Sequence, residues 1–161
     1  MTEALQLVAP RLGTYWEGQG GIYVGVMPGI DGGRDYHLIA SVDEGVDLEW
    51  GPSGKRIEGA DSKRDGSANT LALLGSGYPH PAAAWASKYT KDGHTDFYLP
   101  AQRELNLCYA TCAEKFEKDL YWSSTQHSAA WAWCQYFSNG GQISHRQDFR
   151  LRARAVRRLF I

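Results

Sequence analysis

Three cysteines and five histidines are the side chains of this 161-residue chain best equipped for covalent or metal chemistry, and their spacing favours neither. Cys108 and Cys112 stand four residues apart, which on a helix puts them on one face with nearly parallel Cβ directions, a poor geometry for a disulfide. Cys134 falls on a predicted strand, so all three read as reduced thiols in or near a core. His37, His80, His94, His127 and His145 show neither an HExxH pattern nor any paired spacing. No nucleophile has an activating base at a recognisable distance, so no catalytic residue and no enzyme is expected. The acidic loops DGGRD (31–35) and DSKRDG (61–66) could hold a structural calcium through oxygen ligands, but Asp-Gly loops are ordinarily turns, and no cofactor or metal is expected.

Arg146, Arg150, Arg152, Arg154, Arg157 and Arg158 make a second constellation, one that invites polyanion chemistry. The formal net charge of −1 supplies no global field to recruit nucleic acid, so none is expected as a partner. In an extended strand Arg150, Arg152 and Arg154 point one way while Leu151, Ala153 and Ala155 point the other. These guanidiniums are expected to pair with carboxylates such as Glu104 or Asp96 and to stack on aromatic rings.

The third constellation is aromatic and amide-rich. Along the segment 131–138, Trp131, Trp133, Gln135 and Phe137 share one face and Ala132, Cys134, Tyr136 and Ser138 the other. Trp133 and Phe137 are expected to mark the core face, with Trp122 also buried. That leaves Gln126, His127 and Ser128 in a loop, Cys134 and Tyr136 on a strand, and Gln142, Ser144, His145 and Gln147 beyond a turn as a displayed, ligand-binding set. Such side chains bind by adaptable hydrogen bonds and aromatic contact.

The elements that must position this set follow from periodicity. Ile22, Val24 and Val26 alternate with Tyr23, Gly25 and Met27, the Asp31-Gly32-Gly33 turn follows, and YHLIASV returns, so residues 21–42 read as a hairpin. Val46 to Trp50 suggest a short third strand. Asp65 or Ser67 can cap a helix running through Leu73 and Leu74 to Gly75, and AAAWASKYT adds another helical turn or two. Pro100 opens a helix predicted over 101–117, since its missing N–H is an orphan there anyway. Then the pattern returns to β: YWSS, a polar loop, Trp131 to Ser138, the turn Asn139-Gly140-Gly141, and Phe149 to Phe160. Helices clustered between strands argue for an α+β class, and the strand-like chain ends are expected to pair.

Hydrophobic content of 43%, charged content of 22% and 18 glycines bound this as one soluble, turn-rich domain spanning 1–161, with 1–12 a possible N-terminal arm. No apolar run is long enough to insert in a membrane. Glu3 stands where a signal peptide wants basic charge, and Gln6 and Pro10 interrupt the apolar run, so no signal peptide is expected.

DFYLPAQREL, YWSSTQHSAAWAWCQYFSNGGQ and the closing RLRARAVRRL together resemble the Lcl-type C-terminal domain family, a domain of unknown function common in bacterial and prophage genomes. The resemblance runs from about Gly13 to Leu159. It implies a C-type-lectin-like fold related to the formylglycine-generating branch: a mixed antiparallel sheet, two main helices, adjacent N- and C-terminal strands, and a ligand surface built by the late loops and strands. The paired cysteines of the formylglycine chemistry, and the EPN, QPD and WND motifs of calcium-dependent lectins, are absent here. Relatives of this kind include phage tail receptor-binding proteins, retroelement-diversified variable proteins, and the tip of a collagen-like adhesin that binds sulfated polysaccharide. The expectation is a non-catalytic receptor-binding protein, located in a virion or in the bacterial cytoplasm before assembly. It would bind a bacterial surface protein or glycan, with a homo-oligomer expected; the alternative is a structural or assembly component contacting a tail-fibre protein.

Overall fold

A computed structural model describes residues 7–161. In chain order the elements are β1 (Tyr15–Trp16), β2 (Gly21–Met27), β3 (Tyr36–Glu49), α1 (Gly66–Leu74), α2 (Pro81–Lys88), α3 (Gln102–Cys112), β4 (Leu120–Gln126), β5 (Trp131–Tyr136), β6 (Gln142–Arg146) and β7 (Arg150–Phe160). A single 3-10 turn, Ala113–Lys115, follows α3. The strands form one mixed sheet in the order β1-β2-β3-β7-β4-β5-β6. All neighbours are antiparallel except β4 and β7, which meet in parallel at Tyr121 and Arg152.

Among the described residues the class is α+β, with one seven-stranded sheet and three helices rather than two. The expected hairpin over 21–42 is β2–β3, and the short strand expected over 46–50 is instead the continuation of β3 past two register shifts. Gly45 stands between the two shifts and under Trp85; a Cβ there would meet Leu48 Cδ1 at 2.5 Å and the indole at 2.9 Å. The C-terminal strand does not pair with the N-terminal one. β7 pairs with β3 along nearly its whole length, and β1 lies beyond β2 at the sheet edge. Residues 7–12 are in no strand, and Leu7 and Val8 are exposed; the remainder of the proposed arm, 1–6, lies outside the described residues.

Helices cover both faces of the sheet. On one, α2 lays Ala82, Ala83 and Ala86 near Ala153 and Ala155 of β7, in a core that also holds Trp50, Leu73, Leu99, Trp122, Ala132 and Cys134. Small residues on both partners let helix and strand backbones approach closely, which keeps the interior dense. On the other face α3 sets Leu105, Cys108 and Cys112 with Val24, Leu38, Tyr121, Phe137 and Val156. Because the sheet is buried on both sides, period-2 alternation along its inner strands no longer separates core from solvent.

The segment DFYLPAQREL knots these layers together. Glu104, fully buried at the third position of α3, accepts hydrogen bonds at Oε1 from the backbone N–H of Gly66 (3.0 Å) and Ala101 (3.1 Å), and at Oε2 from Tyr36 (2.9 Å) and Tyr98. Arg158 of β7 donates to Tyr98 (3.0 Å) and stacks on Tyr36 and Tyr98. One carboxylate thereby ties α1, α3, β3 and β7. Burial still raises its pKa, the hydrogen bonds pulling the other way. Gly66 has no room for a side chain: a Cβ would sit 2.6 Å from Glu104 Oε1 and from Ala101 N. Asp65, beside it, caps α1 by accepting from Ala68 N–H at 3.0 Å.

Candidate ligand-binding surface

Of the six arginines that could have formed a polyanion site, all but Arg150 are held by close scaffold contacts. Arg157 meets Asp96 at 2.7 Å, Arg152 meets Glu44 at 2.9 Å and Asp119 at 3.1 Å, and Arg158 pairs with Asp65. Arg154, almost fully buried, donates to Ser41 and Lys115 carbonyls and stacks over Phe116 at 4.4 Å. Arg146 pairs with Asp148 at 2.8 Å, and Arg150 lies 3.8 Å from Glu49. Asp96 is a partner as expected; Glu104 serves tyrosines and backbone instead.

The displayed set divides sharply. Gln126, Cys134 and Gln147, expected on the surface, are buried. Gln126 accepts from Ile57 N–H at 3.0 Å and donates back to the Ile57 carbonyl, clasping the long 50–60 connection against β4. Gln147 donates to the carbonyls of Ser128 (2.9 Å) and Trp131 (3.2 Å), and its own backbone carbonyl receives Trp50 and Gly51. Polar type suggested exposure for both, but each amide is turned inward onto backbone groups of an adjoining segment. Cys134 packs with Trp122 and Ala132, and burial pushes its thiol pKa up to about 12, so it is inert. The thiols of Cys108 and Cys112 are raised by the same cause, and all three cysteines are free and buried.

The expected core face of β5 is also corrected. Phe137 is buried against Phe116 and Tyr121, but Trp131 is 41% exposed and Trp133 only half-buried. The core residues of β5 are Ala132 and Cys134 on one face and Gln135 on the other, since α3 covers Gln135 but stops short of the two tryptophans.

Pairing with β6 builds the surface. Trp131 is opposite Arg146, Trp133 opposite Ser144, and Gln135 opposite Gln142, so these six share a face. His127 joins them from the β4–β5 loop, its ring edge-on to Trp133 at 5.1 Å. That loop is fixed: His127 and Ser128 N–H both donate to the Trp131 carbonyl (2.9 and 3.0 Å), and Gly54 N–H reaches Ala129. Toward α3 the surface ends in an amide ladder. Gln102 donates to Gln142 (3.3 Å), Gln142 to Gln135 (3.0 Å) and to the Gln102 carbonyl (2.7 Å), and Gln135 to Asn106 (3.2 Å). The turn at the foot of β5 and β6 needs Gly140, whose φ is +81° and whose Cβ would strike the Tyr109 ring at 2.4 Å.

Of the predicted residues, His127, Gln142 and Ser144 are therefore brought together, with Ser128 half-buried beside them. Tyr136 and His145 are on the opposite face of the hairpin, near Ile143 and Phe149; His145 stacks edge-on against Phe149 at 4.4 Å. Trp131, Trp133, Gln102 and Asn106 complete the first face and were missed. A strand-opposite-strand register, rather than residue type, would have found the tryptophans.

Clefts of about 280 Å³ at Asp119 and Arg152, and of about 310 Å³ at Arg34, Arg158 and Phe160, open elsewhere. Among the described residues no three His, Cys, Asp or Glu side chains converge as a metal site. Asp61 pairs with Arg56 at 3.0 Å and Asp65 caps α1, so the DSKRDG loop spends its carboxylates on structure. Among the described residues no helix is long and apolar enough to cross a membrane. Compared with known proteins, the sequence matches no family model and no curated protein.

Proposed function

We propose that this protein is a non-catalytic binding domain of the Lcl-type, C-type-lectin-like kind, associated with a phage or prophage tail and recognising a bacterial surface ligand through the outer face of β5 and β6. The observation that carries this is the placement of Trp131, Trp133, His127, Ser144 and Gln142 on one accessible face, held by buried glutamines at both ends of the loop. A rigid platform presenting aromatic area and uncharged hydrogen-bonding groups loses little conformational entropy on binding. The three thiols lie buried with raised pKa values and are not offered on this face.

A second reading has its own observation. On the other face of the same hairpin, Tyr136, Ile143 and Phe149 are 38%, 46% and 47% exposed, an apolar margin beside the open edge of β6 suited to assembly with a tail component. Incubating purified protein with bacterial cells and, separately, with tail-fibre proteins distinguishes the two. Cell binding supports the receptor reading; absence of cell binding together with a stable tail-fibre complex replaces it with assembly.

A further inference from the structure

The ligand's chemistry follows from what the β5–β6 face offers and lacks, and we infer that it is an uncharged saccharide chain; this rests on the receptor-binding reading above. A pyranose ring presents a C–H face that packs on the electron-rich face of an indole, and a rim of hydroxyls that both donate and accept. Trp131 and Trp133 stand two residues apart on one strand, roughly 6.8 Å along it, a row rather than a pit. Edge-on contact with His127 fixes the Trp133 ring.

Around that row the polar groups are amides and a hydroxyl. Ser144 lies directly across from Trp133. Asn106 uses its Oδ1 to accept from Gln135, which directs its N–H pair outward. The Gln102–Gln142–Gln135 chain fixes each amide's orientation in advance. Charge is nearly absent from the strands here: Arg146, the one ionised side chain among the paired positions, is neutralised by Asp148. On β7 Arg152, Arg157 and Arg158 already pair with carboxylates and Arg154 is buried, so the exposed Arg150, 3.8 Å from Glu49, is the one guanidinium of that strand left for an anionic polymer. Two indoles in a row suit a chain laid along the face better than a single sugar enclosed in a pocket.

The test treats bacterial cells that bind the intact protein in three ways: with periodate, which cleaves vicinal diols; with protease; and with about 0.5 M salt, which screens exposed charges. A neutral saccharide predicts that periodate abolishes binding while protease and salt leave it within twofold. It also predicts that Trp131→Ala and Ser144→Ala each weaken binding at least tenfold with unchanged melting temperature. Loss on protease treatment makes the ligand a protein, and loss in salt, reproduced by Arg146→Gln, makes it an anionic glycan. Either outcome overturns the inference while leaving receptor binding intact. No binding to untreated cells removes the receptor reading and this inference together.

Discussion

Gln126 and Gln147 show how residue type misleads when irregular backbone is nearby. Both looked like display residues, yet each spends its amide on main-chain groups of a neighbouring loop. Their removal should cost stability rather than recognition: Gln147→Ala leaves the Ser128 carbonyl without its donor and is expected to lose about 1–3 kcal/mol in chemical denaturation. His127→Ala, on an exposed ring, should cost less than about 0.5 kcal/mol. His80 supplies a pH signature. Its Nδ1 shares a hydrogen bond with the Trp50 carbonyl at 2.8 Å, and burial depresses its pKa below the usual 6.5. The unfolded chain then binds more protons than the folded one, so this histidine's contribution is complete above 6.5 and is lost as pH falls toward the folded value. Denaturation midpoints should fall across that acid window in the native protein, with a shallower slope in His80→Gln; an equal slope would remove His80 as the cause.

At the scale of elements, the hairpin 21–42, the Asp65 cap and the Asn139-Gly140-Gly141 turn were legible, because local rules decide each one, and so was a helix after Pro100, although Pro100 stands one residue before the Ala101 cap and not in the helix's first turn. Helix α3 ends at Cys112 rather than near 117, the chain tightening into a 3-10 turn before Phe116 enters the core. What was not legible was which face of β5 is buried. Helices on both sides of the sheet erase the alternation signal, and only the register with β6 and the reach of α3 decide that Gln135 is covered while Trp131 is not. The same limit hid the partner of β7, because strand pairing across more than a hundred residues has no local mark. The Glu104 node is the element-scale prediction. Glu104→Ala strands two tyrosines and two backbone donors in the interior and should cost about 3 kcal/mol or more. Gly66→Ala, which forces a methyl against the same site, should cost about 1–3 kcal/mol. Thermal melts check both, and near-native stability in Glu104→Ala would mean that the four elements are held together by other contacts.

For the whole molecule, the sheet divides labour between its two ends. β2, β3 and β7 with their buried or paired arginines form a fixed platform, while β5 and β6 extend beyond the helices and carry accessible aromatic groups on both faces. Several copies held together would raise the avidity of a single site by orders of magnitude. The most direct measurement is a titration of bacterial cells with two double variants, Trp131→Ala/Ser144→Ala and Tyr136→Ala/His145→Ala, each with its melting curve. A binding face formed by β5 and β6 on the Trp131 side predicts at least a tenfold loss in the first variant, near-native binding in the second, and a melting temperature for the first within about 2 °C of the native protein. Native binding by the first variant with loss in the second would contradict it and put recognition on the Tyr136 face.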